Sequence, residues 1–133
     1  ISLKPGETSS ASIAWCQPLA APYNPSTLLY DGRVYVLQDR GTVSCYNART
    51  GAPIYERQRL EGSRGFTASP WACDGKVYCL DEDGATFVFR AGDRFELLQT
   101  NRLGDDEMCL ATPAIAGGRL LIRTAARVYC IKR

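Results

Sequence analysis

The side chains that most often carry catalysis are sparse in this chain. It contains no histidine, which excludes His-based metal sites and Ser-His-Asp triads from these residues. Its cysteines are far apart and none form a C-x-x-C pair, so we expect neither a zinc ribbon nor a reactive dithiol. We interpret them as buried thiols that pack as small hydrophobic groups, with disulfides left open if the protein is exported. The six are Cys16, Cys45, Cys73, Cys79, Cys109 and Cys130.

Two short acidic segments are the remaining candidates for chemistry. The segment "DEDG" (81–84) clusters three carboxylates at a turn, which would suit a weak cation site, although the EF-hand spacing is absent. The segment "GDDEM" (104–108) lies in a second loop, of the kind where binding usually occurs. We favour a solvated hairpin tip for the first and a solvated loop for the second. No residue is assigned a catalytic or metal-binding role.

Charge and hydropathy narrow the partners. The 16 basic and 14 acidic residues leave a net charge of +2, so neither nucleic acid nor an anionic membrane surface is an expected partner. The apolar runs are too short to span a bilayer. The first residues lack the layout of a signal peptide, and we expect the chain to be a processed or truncated piece. Four arginines were considered as a basic rim, but we favour the interpretation that they form ordinary solvated surface. They are Arg40, Arg64, Arg123 and Arg127.

The elements that position these residues come from a repeat. Shifted by 43 residues, the chain matches itself without a gap. The phrase "DGRVYVLQDRG" (31–41) returns as "DGKVYCLDEDG" (74–84), and a weaker copy, "GGRLLIRT", begins at Gly117. Such self-similarity is the signature of a repeat architecture. Ser26, Asp31, Gly32, Val34, Tyr35, Leu37, Gly41 and Ala48 fall on Ser69, Asp74, Gly75, Val77, Tyr78, Leu80, Gly84 and Ala91.

Each repeat reads as four short antiparallel strands. Asp-Gly is a hairpin signal because glycine accepts positive φ. The strands of the first repeat are predicted at 27–30, 33–38, 42–48 and 53–60, since these segments are rich in β-branched and aromatic residues or alternate apolar with charged ones. No segment keeps a 3.6-residue period. The chain is therefore predicted to be all-β.

Four strands in about 43 residues predict the blades of a β-propeller. Residues 24–66 and 67–110 are each predicted to be one blade. Residues 111–133 form a partial last blade without its outer strand. Residues 1–23 are the tail of a preceding blade, with "SASIAWCQ" (10–17) as its outer strand.

About two and a half to three blades cannot close a ring, which takes about four to eight. We therefore expect one of two partners. Either the remaining blades of a larger propeller complete the ring, which is the interpretation we favour, or other copies of the chain do. A strand from an upstream segment would then complete the last blade.

One segment carries a family resemblance. "CYNARTGAPIYERQ" (45–58) resembles the repeat of pyrroloquinoline quinone (PQQ)-binding-like, quinoprotein alcohol dehydrogenase-like β-propeller proteins of bacteria. There, a small residue and a Thr-Gly pair precede an aromatic residue that docks between blades. Tyr55 stands where the family usually has Trp, and the second repeat loses the Thr. The blade-packing motif implied is Ala48, Thr50, Gly51, Tyr55, Trp15 and, as an inner-strand aromatic, Trp71.

The resemblance implies three functions. The first is a non-catalytic scaffold that binds proteins, carbohydrate or another ligand. The second is a fragment of a PQQ-dependent dehydrogenase whose catalytic residues lie upstream. The third resembles the outer-membrane assembly lipoprotein that uses this fold. PQQ and calcium enter only by this analogy, because no residue here matches one that contacts them. A periplasmic or extracellular location is likewise implied.

Overall fold

The computed structural model describes residues 13–18, 20–104 and 107–132. Within these ranges the chain forms three antiparallel sheets and no helix. The first sheet contains β1 (Leu28–Tyr30), β2 (Arg33–Gln38), β3 (Thr42–Asn47) and β4 (Pro53–Arg59). The second contains β5 (Trp71–Cys73), β6 (Lys76–Leu80), β7 (Ala85–Arg90) and β8 (Leu97–Arg102). The third contains β9 (Ala114–Ala116), β10 (Arg119–Arg123) and β11 (Val128–Lys132).

The predicted all-β fold of antiparallel, four-stranded blades is thus confirmed for the first two sheets, whose strands pair in chain order. The third sheet has the order β11-β10-β9, with no fourth strand among the described residues. The three sheets do not close into a ring. The blade boundaries given above remain a prediction. The sheets show which residues form strands, but they do not show which blade each residue of a connecting loop belongs to.

The repeated Asp-Gly pairs form the tips of equivalent hairpins. Asp31 and Gly32 have φ values of 48° and 69°, and Asp74 and Gly75 have 49° and 70°. Two consecutive residues with positive φ are the requirement of the tight turn that matches the right-handed twist of paired strands. Glycine adopts this geometry without strain, and aspartate tolerates it better than most residues. The repeat therefore preserves turn geometry at these positions.

A hydrophobic core lies between the first and second sheets. Its rings interlock across the interface: Tyr35 lies 6.1 Å from Phe89, and Phe66 lies 6.0 Å from Phe87, measured between ring centroids. Each such side chain contributes about 1.5–3 kcal/mol through burial. The buried members are Tyr35, Leu37, Val43, Cys45, Leu60, Phe66, Val77, Cys79, Ala85, Phe87 and Phe89.

A smaller core lies between the second and third sheets. Trp71 stacks on Tyr78, with ring centroids 5.4 Å apart and planes inclined by 10°. Ile122, from β10 of the third sheet, is buried in the same core. The third sheet is otherwise open, and Ile115 and Val128 are 54% and 71% exposed. Its far face is left without a partner in the chain as described.

The segment predicted to be an outer strand behaves differently. Residues 10–12 lie outside the described residues, and Ile13–Pro18 belongs to no sheet. A strand needs a neighbour to pair with, and no described strand pairs with this segment. Among the described residues, no helix is long and apolar enough to cross a membrane.

Candidate functional site

The loop between the first two sheets is held by backbone hydrogen bonds on both sides. The Phe66 N–H donates to the carbonyl of Asp39 at 2.9 Å, and the Glu82 N–H donates to the carbonyl of Gly65 at 2.9 Å. Asp39 and Glu82 lie in the β2–β3 and β6–β7 turns. The loop is therefore fixed between the β2–β3 turn of the first sheet and the β6–β7 turn of the second.

The same two hydrogen bonds recur one repeat later. The Cys109 N–H donates to the carbonyl of Glu82 at 2.9 Å, and the Ala125 N–H donates to the carbonyl of Met108 at 2.8 Å. Both acidic segments singled out in the sequence meet at this junction between the second and third sheets. They line a depression of about 460 Å³, formed by Arg64, Glu82, Asp83, Arg102, Gly104, Glu107 and Met108.

Asp81 is not the solvated residue that the sequence predicted, because its side chain is 0% exposed. Its Oδ1 accepts hydrogen bonds from the N–H groups of Asp83 at 3.1 Å and Ala85 at 2.7 Å. Its Oδ2 has no hydrogen-bond partner in the described structure. Burial raises the pKa of this carboxyl above its ordinary value, against the opposing effect of the backbone hydrogen bonds.

Thr124 shows that the role of Asp81 does not require a charge. In the third sheet, the Thr124 hydroxyl accepts the N–H groups of Ala126 at 3.2 Å and Arg127 at 2.9 Å. This is the hydrogen-bonding pattern of Asp81, one repeat later. Both residues close a turn between two strands by capping its N–H groups.

The other two carboxylates of the hairpin, those of Glu82 and Asp83, contact the preceding loop. The Thr67 hydroxyl donates to Glu82 Oε1 at 2.7 Å. Arg64 Nε lies 3.0 Å from Asp83 Oδ2, and both of these side chains are substantially exposed. Each contact connects the loop to the second sheet, although an exposed ion pair contributes little to stability.

Glu107 is a second departure from the predicted solvated loop, since its side chain is 3% exposed. It accepts hydrogen bonds from the Tyr129 hydroxyl and from Arg127 Nη1. Hydrogen bonds from Tyr129, the largest cause, and then from Thr124 and Arg127 hold the pKa of the Glu107 carboxyl below its ordinary value. Of the four arginines considered as a basic rim, Arg64 and Arg127 are thus committed to carboxylates.

Part of the predicted packing motif lies together on the first sheet, whereas Trp71 lies in the second sheet against Tyr78. The Trp15 Nε1–H donates to the carbonyl of Ala48 at 3.0 Å. Gly51 lies under the indole, where an added Cβ would come within 2.6 Å of the ring, and its φ is +72°. The Thr50 hydroxyl accepts the N–H of Ala52 at 3.3 Å. Trp15 therefore packs on the β3–β4 turn of the sheet that follows it.

Tyr55 makes the corresponding contact one repeat later, with a different chemistry. Its ring packs edge-on against Phe95, which precedes β8, with centroids 6.0 Å apart. Its hydroxyl is buried beside the Cys45 thiol, a weak hydrogen-bonding group, and makes no hydrogen bond of standard geometry in the described structure. Burial raises the pKa of this phenol strongly. In the second sheet the Thr-Gly pair is replaced by Asp93 and Arg94, and the ring of Tyr55 packs against Phe95, the next residue.

The cysteines are free thiols in the described structure. Cys45, Cys79 and Cys109 are buried, whereas the prediction of buried thiols is wrong for Cys16, Cys73 and Cys130, which are exposed. Burial raises the pKa of the Cys45 thiol to about 11, which makes it unreactive near neutral pH. Cys45 pairs with Tyr35, and Cys130 pairs with Leu121 at the same register in the third sheet. These two cysteines therefore occupy equivalent positions in the third strand of their sheets.

One set of polar residues was missed in the sequence. The Ser26 N–H donates to Ser69 Oγ at 2.9 Å, and the Ser69 N–H donates to Thr112 Oγ1 at 2.8 Å. The three residues are 43 apart and precede the innermost strand of each sheet. Their spacing was visible as part of the repeat, but a hydroxyl at a fixed spacing does not by itself indicate a hydrogen bond between sheets.

Comparison with solved structures identifies the class of fold. BamB from Moraxella catarrhalis aligns with a TM-score of 0.61 at 19% identity, over 80% of this chain and 32% of that one. The quinohemoprotein alcohol dehydrogenase ADHIIG from Pseudomonas putida HK5 aligns with a TM-score of 0.59 at 18% identity, over 82% of this chain and 18% of that one. The enzyme from Comamonas testosteroni gives 0.58 at 17% identity, covering 80% and 18%.

The chain therefore has the fold of consecutive blades of a PQQ-like β-propeller, as its sequence resemblance implied. It spans about a third of the Moraxella protein and less than a fifth of either dehydrogenase. No protein-family model and no curated protein matches the sequence.

The residues present do not fit the PQQ and calcium that such dehydrogenases imply. Among the described residues, no group of three or more His, Cys, Asp or Glu side chains is placed to hold a metal ion. Glu82, Asp83 and Glu107 already accept hydrogen bonds or ion pairs from protein donors. Trp71, which could offer a face to a planar ring system, is 8% exposed and stacked on Tyr78. No step of PQQ chemistry can be built on these residues.

Proposed function

We propose that the chain is part of a non-catalytic β-propeller scaffold whose loops bind a protein or another polar ligand. The observation that carries the proposal is the arrangement at the junction of the second and third sheets. There, Glu82, Asp83 and Glu107 are each bound to a residue of a neighbouring loop or turn. Side chains fixed in this way suit a rigid recognition surface better than a reaction in which a group must gain or lose a proton.

The shape and composition of the junction support a polar partner. The depression of about 460 Å³ is lined by charged residues of both signs together with Met108, which is 53% exposed. Arg102 adds a cation that makes no ion pair among the described residues. A surface that combines an exposed apolar side chain with charged groups suits a protein interface, in which apolar contacts and polar groups occur together. An extended peptide with a carboxylate near an apolar side chain would match it.

The first experiment addresses catalysis. PQQ and calcium chloride are titrated into the protein while tryptophan fluorescence and the alcohol-dependent reduction of a redox dye are followed. We expect no saturable quenching of Trp15 or Trp71 and no dye reduction above a protein-free blank. Saturable binding accompanied by turnover would overturn the scaffold proposal in favour of a dehydrogenase fragment.

The second experiment addresses binding. A library of displayed peptides is selected against the protein, and the peptides recovered are measured with purified variants. We expect Arg102→Ala and Met108→Ala to weaken binding by about tenfold each, which corresponds to about 1.4 kcal/mol. Arg49→Ala, in the exposed β3–β4 turn of the first sheet, is the matched control and should leave binding unchanged. Equal effects of all three variants would show that the depression is not the site.

A role in the bacterial envelope is the second candidate function. It is favoured by the alignment with BamB, because that alignment covers 32% of BamB, whereas the alignments with the two dehydrogenases cover 18% of each. This would place the protein in the periplasm or outside the cell. Fractionation of cells that express the full-length protein tests this, with recovery in the cytosol as the contradicting result.

A further inference from the structure

The outer strand of the second sheet has a free edge of regular backbone geometry. β8 pairs with β7 on one side and with no described strand on the other. It lies inside the chain, in a sheet that packs against the first sheet on one face and against the third on the other. An unpaired edge presents N–H and C=O groups to which a further strand can bind, and proteins usually block such edges.

The equivalent edge of the first sheet is blocked in two ways along β4. The Asn47 N–H donates to the carbonyl of Ala52 at 2.9 Å. Hydrogen-bonded pairs alternate with pairs whose backbone groups face away from the partner strand, so the next residue, Pro53, faces outward and has no N–H to donate. Further along, Arg57 has a φ of 52°, and its N–H donates to Ser44 Oγ at 3.0 Å. β4 therefore offers no continuous row of backbone groups.

β8 has neither of these features in its second half. The Leu103 N–H donates to the carbonyl of Gly84 at 3.2 Å, so the same alternation turns the N–H and C=O groups of Arg102 and Thr100 outward. Residues Gln99–Arg102 pair with β7 without interruption and include no proline. Among the described residues, no hydrogen bond reaches the outward groups of Thr100 and Arg102. The edge is therefore open over these residues.

The side chains along this edge combine an apolar contact with a cation. Leu97, Thr100 and Arg102 lie on one face of β8, because their partners in β7 all belong to the core between the first and second sheets. Leu97 is 43% exposed, although the first sheet is present on that side. Arg102 is exposed and takes part in no ion pair among the described residues. A bound strand would therefore meet leucine at one end and a positive charge at the other.

We propose that β8 binds an extended segment of a partner protein as an additional antiparallel strand, through the outward N–H and C=O groups of Thr100 and Arg102. Such strand addition takes its affinity from main-chain hydrogen bonds and its specificity from alternate side chains. Cross-strand pairs of opposite charge and of apolar groups are stabilising. The partner segment therefore has a carboxylate opposite Arg102, a β-branched residue opposite Thr100 and an apolar residue opposite Leu97.

A second copy of the chain does not supply this chemistry. Strand Leu97–Arg102 contains no carboxylate, so two β8 strands side by side would leave Arg102 without a counter-ion. The edge is also distinct from the depression of the proposed function, although Arg102 borders both. The inference thus goes beyond that function and concerns a separate surface.

A synthetic peptide tests strand addition. The probe is a fluorescent peptide of seven residues, with Glu, Val and Ile at the second, fourth and sixth positions and Ser at the others. Fluorescence anisotropy should show saturable binding to the protein. Methylation of the Val nitrogen, which would face Thr100, should weaken binding at least about tenfold, because a main-chain hydrogen bond is lost. Methylation of the next Ser nitrogen, which would face away, is the matched control. Equal affinity of the two methylated peptides, or no binding of the parent peptide, would overturn the proposal.

Proline substitutions test the edge from the side of the protein. Thr100→Pro removes an outward N–H and leaves the β7–β8 ladder intact, a placement that edge strands tolerate. Peptide affinity should fall at least about tenfold. Arg59→Pro is the matched control on β4, because Leu60 donates to Gly41 at 2.9 Å and the Arg59 N–H therefore faces outward. An equal effect of the two folded variants would contradict the proposal. If Thr100→Pro does not fold, the methylated peptides decide the question.

Two further measurements separate this edge from other binding modes. Arg102→Ala should weaken peptide binding by about tenfold, whereas Met108→Ala should leave it unchanged. Weaker binding in Met108→Ala would place the peptide in the depression and overturn the edge proposal. Sedimentation equilibrium without peptide should show no dimer that Thr100→Pro abolishes, and such a dimer would make a second copy the occupant. Because Met108→Ala weakens only ligands of the depression, the edge and the proposed function can fail separately.

Discussion

Arg64 and Glu107 occupy the same position in consecutive loops and carry opposite charges. Each precedes the residue whose carbonyl accepts the N–H of the next sheet's turn, namely Gly65 and Met108. Arg64 pairs with Asp83 at 3.0 Å, and Glu107 pairs with Arg127. The polarity of the contact is thus reversed from one junction to the next. Exchanging the two loops would place like charges together, so each loop is matched to its own turn.

Replacing Glu107 by glutamine should lower the thermal midpoint by a few degrees at neutral pH. The substitution keeps the shape but removes the charge that receives Arg127 and the Tyr129 hydroxyl. The pKa of Glu107 is lowered in the folded state from an ordinary value of 4.5. Its contribution is therefore present above that value and is lost as the pH falls through the lower folded-state pKa.

The difference between wild type and Glu107→Gln should therefore shrink below about pH 4.5. Differential scanning calorimetry at several pH values measures it. Glu61→Gln, at an exposed position, is the control and should change the midpoint little at any pH. A gap between wild type and Glu107→Gln that does not narrow in acid would contradict a role for the ionised carboxylate.

Replacing Asp81 by asparagine should stabilise the protein by about 1 kcal/mol at neutral pH, because the variant avoids burying a charge with one unpartnered oxygen. The side-chain oxygen can still accept the N–H groups of Asp83 and Ala85, and Asp81→Thr copies the turn at Thr124. The pKa of Asp81 is raised on folding. Its stability contribution is therefore full below the unfolded-state pKa and falls as the pH rises through the folded-state pKa.

Urea unfolding at neutral and acid pH measures the effect of Asp81→Asn, whose advantage should disappear in acid. Asp83→Asn, in the same hairpin but exposed and paired with Arg64, is the matched control and should lose no more than about 0.5 kcal/mol. Destabilisation of Asp81→Asn at neutral pH would show that the ionised carboxylate has a partner that compensates its burial.

Replacing Gly51 by alanine should cost about 3 kcal/mol, through strain at positive φ and through a clash with the Trp15 indole. Gly32→Ala measures the backbone strain alone, because Gly32 has nearly the same φ as Gly51 (+69° against +72°) but nothing lies within 4 Å of a Cβ placed there. Gly32→Ala should cost about 1 kcal/mol. Chemical unfolding in wild-type and Trp15→Ala backgrounds measures both. The difference between the glycine variants should vanish without Trp15, and its persistence would refute the packing contact.

Replacing Tyr55 by phenylalanine should stabilise the protein by about 1 kcal/mol, since a buried hydroxyl without a hydrogen bond carries an uncompensated desolvation cost. Tyr55→Ala should cost about 3–5 kcal/mol because the contact with Phe95 is lost. Thermal unfolding distinguishes the two outcomes. Tyr23→Phe, with Tyr23 91% exposed, should have no effect, and a loss of stability in Tyr55→Phe would indicate that the hydroxyl is hydrogen-bonded after all.

The sequence was sufficient for the architecture because the repeat preserves what a blade needs. The Asp-Gly turns, the β-branched strands and the spacing of 43 residues are local signals, so strand bounds such as 33–38 were predicted as the structure has them. The other three strands of the first sheet were predicted to within one residue, at 27–30, 42–48 and 53–60. In the second sheet β8 begins at Leu97, because Phe95 before it turns inward to pack against Tyr55.

The junction was harder to predict from sequence because burial at a hairpin tip is decided by what covers it. The letters "DEDG" and "GDDEM" favour water, and their composition cannot tell that a loop two strands away lies across Asp81 or that β11 supplies Tyr129 to Glu107. From charge alone, Asp81 and Glu107 were therefore predicted to be exposed to solvent, whereas tertiary contacts bury both side chains.

The Ser26–Ser69–Thr112 series makes the chain divisible into equal units. Cutting it at any point and again 43 residues later removes one sheet and joins two ends whose backbones already have matching hydrogen bonds. Duplication of the same length adds a sheet on equal terms. The number of sheets in such a chain can thus change by whole repeats, while the opposite charges of Arg64 and Glu107 restrict which repeats can lie next to each other.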